Sequence, residues 1–459
     1  MEHYRIITPE GTRDKIGTEC TALRGLEATL AALFSRAGFT EAGTPQFEFY
    51  ELFQQARNPI APESLLKFTA NGGQLLVLRP DSTLPLARIA ATKLAGNELP
   101  ARFFYAQSVY RSPKRNGGGD AEIRQCGLEL FGLSGLDADA EILSLAIDAL
   151  DKCGVSDYVL QLGGEKPEYL NELINLVGNG KIRLEPNLKS DIDYYTGIVF
   201  SVFTEGSGGA ILAGGRYDKL CADFGRDIPA AGFAVYTDRI ANLKPEPQTS
   251  ETLRIAVTKG RLLDDTLALF SKAGYSTPQS LLDKDDRRLI HDFPGSCISV
   301  VLAKAADVVT YVEHGVCQLG IVGSDTLAES GGTYTELRDL GFGACKFSLA
   351  GPEGSRAAMK NPHNLTIASK YPNVTKAYFT GRGIDVTIIK IDGSVELAPL
   401  LGLSDAIVDI VSTGATLEAN GLRVIDDIRP VSARLIANNA ALRLRSEQIE
   451  GLMGKLAVG

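Results

Sequence analysis

From Glu19 to Ala37 the apolar residues Leu23, Leu26, Leu30, Leu33 and Phe34 recur at helical spacing, and Gly38 follows as a C′ residue, so the stretch predicts an amphipathic helix. Further on the period shortens. ARFFYAQSVYR (101–111) and DYYTGIVFSVF (193–203) alternate apolar and polar positions, which predicts strands of an antiparallel sheet with one face open to a ligand. The run NLKPEPQTSE, Asn242 to Glu251, is polar, holds two prolines and has no period, and it predicts a linker. Beyond it RIAVT, CISVVLA and QLGIVG read as strands, alternating with helical stretches such as Arg261 to Lys272, where Leu263, Leu267 and Phe270 share a face. That alternation predicts βαβ units around a mostly parallel sheet. A compact region from ACKFSLAGP to LRVIDDI has strands and helices of its own, and the chain from Ser432 predicts a final helix returning to the first lobe. The expected architecture is an α+β half (1–242), a linker (243–251) and two α/β lobes (252–343 with 431–459, and 344–430) facing a cleft.

Bulk properties narrow the function. A chain of 459 residues is too long for one ordinary core, which fits this division. A net charge of −9 argues against a broad nucleic-acid footprint, because phosphate backbones are held mainly by Lys and Arg. The seven cysteines are scattered and never spaced C-x-x-C, so neither a disulfide framework nor a zinc site is expected, and a reducing compartment is. MEHYRIITPEGTRD has no basic and apolar leader pattern, and no apolar run approaches a membrane span. The expectation is a cytoplasmic protein without membrane or nucleic-acid partners.

Chemistry concentrates in DAIVDIVSTGATLEANG, Asp405 to Gly421. An apolar strand carrying Asp409 runs into Ser412, Thr413, Gly414, Ala415 and Thr416, and then a helix begins. Small hydroxylated residues at such a junction leave backbone N–H groups open to a phosphate. An ordinary turn with a Ser or Thr N-cap explains TGAT equally well. In VTKGRLLDD, Lys259 and Arg261 flank the end of a strand, where open α/β sheets bind ligands, although solvated helix-start residues have the same look. Arg287 and Arg288 in KDDRRLI are ambiguous alone. In ADVVTYVEHGVCQLGIVGSDTL, Asp307 is a candidate N-cap, His314 with Gly315 closes a helix, and Ser324 and Asp325 sit at a strand end.

The segments KGRLLDD, DVVTYVEHGVCQLGIVGSDTL, DLGFGACKFSLAGP, ASKYPNVTKAYF and ELAPLLGLSDAIVDIVSTGATLEANGL, in this order, resemble the short-form catalytic subunit of ATP phosphoribosyltransferases from about Leu253 onward. The resemblance implies a two-lobed, periplasmic-binding-protein-like α/β fold. It also implies a reaction in which adenine N1 of ATP attacks ribose C1 of phosphoribosyl pyrophosphate (PRPP), the first step of histidine biosynthesis. Adenine N1 carries its own lone pair, so no general base is needed. Positive charge developing at C1 and negative charge on the departing pyrophosphate are what need stabilising. By this resemblance Lys259, Arg261 and Arg287 face phosphates and leaving group, and Asp409 holds the ribose hydroxyls. Ser412, Thr413, Gly414, Ala415 and Thr416 cradle the 5′-phosphate, and Cys345 lines the ATP side. Mg²⁺ is expected to enter with PRPP and pyrophosphate, not on a metal site of the protein.

LRPDSTLPLARIA, RFFYAQSVYR, IRQCGLELFG, DIDYYTGIVF, AGGRYDKL and AAGFAVYTDRI resemble the class II antiparallel catalytic core of histidyl-tRNA synthetases and the regulatory subunits derived from it, over about residues 5–242. By motif match Asp81, Thr83, Gln125, Glu129, Tyr195 and Tyr217 fall where that family holds histidine, and Arg111 is its motif 2 arginine. Acids, an amide and tyrosine hydroxyls suit the ammonium and imidazole of free histidine. Departures point away from aminoacylation. Ser190, Asp191 and Ile192 stand where the synthetases carry the tripeptide with their catalytic arginine, and no anticodon-binding module follows. The expectation is an ATP phosphoribosyltransferase under histidine feedback, working as a homo-oligomer. Two alternatives are a phosphoribosyltransferase acting on a free base, which DIVSTGAT alone suggests, and a non-catalytic histidine- or tRNA-binding protein.

Overall fold

The computed structural model describes residues 6–54, 60–94, 98–112, 120–185, 188, 194–243, 252–283, 286–355 and 365–458. Ser190, Asp191 and Ile192 lie outside them, as does most of the expected linker. The chain divides into two compact units, Met1–Gln248 and Thr249–Gly459.

The first unit is built on an eight-stranded sheet ordered Thr40–Glu41, Ala101–Tyr110, Glu122–Phe131, Ala230–Tyr236, Leu212–Arg216, Val199–Phe203, Val159–Gly163, Ile182–Leu184. Neighbours pair antiparallel except at the two edges. Alternation assigns the faces. In EIRQCGLELF, Cys126, Leu128 and Leu130 point one way into a core shared with Leu30 and Phe34 of helix Thr18–Arg36 and Ile142 and Leu143 of helix Leu136–Lys152. Gln125, Gly127 and Glu129 therefore point the other way. The alternating run DYYTGIVFSVF becomes a strand only at Val199; Tyr194 and Tyr195 precede it in irregular chain, their rings packed on each other at 5.1 Å. Tyr194 also meets Tyr217 edge-on, so ring packing wins over extension of the strand.

The second unit contains a six-stranded and a five-stranded sheet, both mixed. In the first, Ile290–Asp292 lies antiparallel at one edge beside the parallel trio Ile298–Ala303, Leu253–Thr258 and Leu319–Gly323; Ala433–Ala437 follows antiparallel to the trio, and edge strand Thr335–Asp339 is antiparallel to Ala433–Ala437. In the second, parallel Val386–Lys390, Leu365–Ser369 and Ala406–Val411 are followed by Cys345–Gly351, antiparallel to them, and by Arg423–Val431, antiparallel to Cys345–Gly351. The mostly parallel sheet expected from βαβ alternation is thus corrected. The reason is the chain path: it leaves the first sheet after Asp339, completes the second between Cys345 and Val431, and re-enters the first as a strand running the opposite way. The expected helix from Ser432 is accordingly a strand, Ala433–Ala437, then two helices, Asn439–Leu444 and Ser446–Val458. Buried on both faces, ARLIA lacks the half-polar alternation that marks a surface strand. Helix Ala305–Glu313 starts after Lys304, with Asp307 inside its first turn and not at its N-cap.

Candidate active site and ligand pocket

In the second unit the strand Leu253–Thr258 ends just before Lys259 and Gly260, and helix Arg261–Lys272 begins directly after. Gly260 has φ 93°, a left-handed conformation that glycine adopts without a Cβ penalty. Lys259 and Arg261 are both exposed, and among the described residues neither makes an ion pair. Arg287 is exposed too, whereas the guanidinium of neighbouring Arg288 is held by Asp286.

Asp409 sits near the end of Ala406–Val411, half-buried, and accepts from the N–H of Ile410 at 2.8 Å. Burial pushes its carboxyl up to about 6, and the nearby Glu396 and Asp325 push the same way, while Lys370 opposes them. Ser412, Thr413 and Gly414 follow as an open turn, with Ala415 and Thr416 starting helix Ala415–Ala419. Its N-cap is Gly414, at φ 80° and without a side-chain bond, so the Ser or Thr cap is not what forms. Thr413 Oγ1 accepts from Ala415 N at 3.4 Å. A helix of five residues sums few peptide dipoles, so any anion here would rest on the turn's N–H and hydroxyl groups more than on a macrodipole.

Sequence reasoning left two residues of this neighbourhood without a role. Tyr371, buried at 4% exposure, donates to Asp325 Oδ2 at 2.9 Å, and the two join the lobes. Burial raises the Cys345 thiol, Asp325 raises it further and Arg261 lowers it; Asp325, Asp409 and Cys345 all raise the Tyr371 hydroxyl. Cys345 and Asp409 thus lie within electrostatic reach of the Asp325–Tyr371 pair, and Arg261 within reach of Cys345. Asp325 was visible at a strand end, but nothing in the sequence announces its partner. Among the described residues no group of three His, Cys, Asp or Glu side chains is placed to hold a metal.

In the first unit the sequence-selected residues gather on the sheet face opposite helices Thr18–Arg36 and Leu136–Lys152. Asp81, 5% exposed, accepts from Leu84 N at 2.8 Å at the start of helix Thr83–Thr92 and from the Tyr194 hydroxyl at 3.2 Å. Glu129, 1% exposed, accepts from Thr83 Oγ1 at 2.6 Å and from the Tyr217 hydroxyl. Burial pushes Glu129 up to about 8 against both hydrogen bonds, with Asp81 adding to the rise. Burial likewise raises Asp81, opposed by the Leu84 N–H and by Arg111. Arg111 is half-buried, its Nε donating to Pro80 O at 2.9 Å. Gln125 pairs with Gln107 on one neighbouring strand and Tyr236 on the other.

Glycines make the room. Gly232 faces Glu129 on one side and Gly215 on the other, and a Cβ at Gly232 would overlap Glu129 Oε2. A Cβ at Gly215 would meet the Tyr195 ring, and one at Gly127 the Tyr105 hydroxyl. Tyr105 and Tyr194, which sequence reasoning did not select, complete the set; the strand alternation that places Gln125 and Glu129 on this face assigns Tyr105 to it as well. Two buried carboxylates walled by tyrosines suit a ligand that brings positive charge and hydrogen-bond donors.

A family model described as ATP phosphoribosyltransferase matches residues 304–458, and one described as histidyl-tRNA synthetase matches 11–166 and 164–240. An ATP phosphoribosyltransferase of Clostridium kluyveri is 48% identical over 206 residues, 45% of this chain and 93% of the relative. That of Clostridium acetobutylicum is 49% identical over 207 residues, covering 45% and 95%. A crystal structure from Bacillus halodurans C, titled an ATP phosphoribosyltransferase regulatory subunit/histidyl-tRNA synthetase, aligns at 21% identity and TM-score 0.49 over 66% of this chain and 94% of that one. Among the described residues no helix is long and apolar enough to cross a membrane.

Proposed function

The chain belongs to the ATP phosphoribosyltransferase family through its second half, and to the histidyl-tRNA synthetase family through its first, and from that premise we propose that it condenses ATP with PRPP and senses histidine. The products are N1-(5-phosphoribosyl)-ATP and pyrophosphate, and the step opens histidine biosynthesis. The observation that supports the site assignment is the Tyr371–Asp325 hydrogen bond between the lobes, with Cys345 and Asp409 within electrostatic reach of that pair, Arg261 within reach of Cys345, and the Ser412–Thr416 turn beginning three residues beyond Asp409.

In this reading the turn's N–H groups and hydroxyls hold the 5′-phosphate, and ionised Asp409 accepts from the ribose hydroxyls. Arg261, Arg287 and Lys259 meet the pyrophosphate as it leaves, and Cys345 lines the ATP side. Fixing ribose and base at attack distance turns a bimolecular step into a local one, and the arginines stabilise the charge that appears on the leaving group. Mg²⁺ in this reading enters with PRPP; bound to pyrophosphate, it would neutralise charge. The two sheets, joined by the crossings at 340–344 and Ser432, support a periplasmic-binding-protein-like pair of lobes around the substrates.

The histidine site of the reading is the first-unit pocket. Asp81 and Glu129 take the ammonium and imidazole, Thr83, Gln125, Tyr195 and Tyr217 complete the polar lining, and Arg111 takes the carboxylate. The reading includes a cytoplasmic setting, supported by seven free cysteines, and a homo-oligomeric working form. Following pyrophosphate release from ATP and PRPP, with and without histidine, tests it. Absence of turnover refutes the enzyme, and turnover indifferent to saturating histidine refutes the sensor.

A further inference from the structure

Helix Pro372–Thr380 begins without a cap of its own: Tyr371 at its N-cap makes no side-chain cap bond, and Pro372 has no N–H. The next two N–H groups, which the helix cannot satisfy internally, are both taken by one carboxylate from the other lobe. Asn373 N donates to the two Glu329 oxygens at 3.1 and 3.0 Å, and Val374 N to Oε2 at 3.2 Å. Asn373 Nδ2 donates back to the Glu329 carbonyl at 2.9 Å. Glu329 lies on helix Ser324–Ser330, four residues after Asp325, so the two acids share a face, and Asp325 accepts from Tyr371 directly before the capped helix.

The grip continues inward. Tyr371 N donates to Ser369 Oγ at 2.9 Å, and fully buried Ser369 donates to the carbonyl of Val408 at 2.6 Å, the residue preceding Asp409. A short chain of hydrogen bonds thus runs from the helix of one lobe to the ribose-binding strand of the other.

We propose that Glu329, with Asp325, is a positioning residue that clasps the two lobes by capping helix Pro372–Thr380 and so sets Asp409 against the arginine side of the cleft. The inference rests on the reading of Asp409 as the ribose carboxylate. Glu329 touches neither substrate. Its loss acts through geometry, where a displacement of about 1 Å at a remote residue can cost on the order of a hundredfold.

The test is steady-state kinetics of the full chain as E329A, E329Q and D409A, each checked for a cooperative melt. E329A is expected to lower kcat/KM for PRPP about ten- to a hundredfold. E329Q, whose amide oxygen still accepts both N–H groups, should recover most of the loss. A merely structural Glu329 would lower the melting temperature of E329A and leave kcat/KM near that of the parent. That result beside an inactive D409A overturns the clasp while sparing the reading, as do equal losses in E329Q and E329A. D409A at the parent rate removes the premise and the proposal with it. Should E329A not fold, E329D, whose shorter side chain draws the carboxylate back from both N–H groups, takes its place, and a parent kcat/KM for PRPP in that variant again overturns the clasp.

Discussion

Glu129 accepts from two hydroxyls and, among the described residues, from no cation. Burial pushes its carboxyl up to about 8, so it is mostly protonated near neutrality. A ligand ammonium favours the ionised form, so histidine binding should expel a proton. Calorimetry at pH 7 in buffers of different ionisation enthalpy checks this: the apparent heat should change with the buffer for the parent and stop changing for Glu129→Gln, which should also bind histidine more weakly. The stability sign runs with it. A carboxyl raised on folding favours the native state below its unfolded pKa, and that contribution is lost as pH climbs from about 4.5 toward about 8. At Asp409 the group acts as a carboxylate, so kcat/KM for PRPP should rise with pH through about 6 and level off above it. Asp409→Asn should lose that limb along with roughly 2.7–4 kcal/mol of transition-state stabilisation. An unaltered pH profile in this variant would assign the limb to another group.

Among the elements, the Ser412–Thr416 turn makes a prediction that depends on backbone and not on space. A Cβ at Gly414 would meet nothing within 4 Å, but φ 80° disfavours any L side chain, and a β-branched one most. Gly414→Val should therefore raise the KM for PRPP about five- to thirtyfold while leaving histidine affinity intact, since a cost of about 1–2 kcal/mol falls on the turn itself. An unchanged KM would remove the phosphate-cradle assignment. Elements of this kind were largely legible in the sequence. Helix Thr18–Arg36 follows its periodicity, because it turns Leu30 and Phe34 into one core, whereas strand Ala101–Tyr110 buries both faces, Phe104 in that core and Ala101 and Tyr105 in a second. Ala433–Ala437 misled because both its faces are buried, which erases the signal that separates strand from helix. The cap of helix Pro372–Thr380 was invisible for another reason: the carboxylate that accepts from Asn373 N lies 44 residues upstream on a different lobe, beyond the reach of any local motif.

For the whole molecule, sequence resemblance named the residues proposed to meet the substrates and histidine, while the pairings between lobes came only with the fold. Tyr371 with Asp325 and Asn373 with Glu329 join segments that share no period and no motif. The six-stranded sheet carries a consequence for synthesis. Thr335–Asp339 pairs within that sheet only with Ala433–Ala437, which also covers the open side of Leu319–Gly323. A growing chain must make the whole of Cys345–Val431 before this strand exists, so the later-encoded lobe can close first while the earlier one waits with a bare strand edge. Such an edge is a template for pairing with another chain. A ribosome paused between residues 345 and 431 would hold that edge exposed, which makes this interval the one in which nascent chains depend most on chaperone cover.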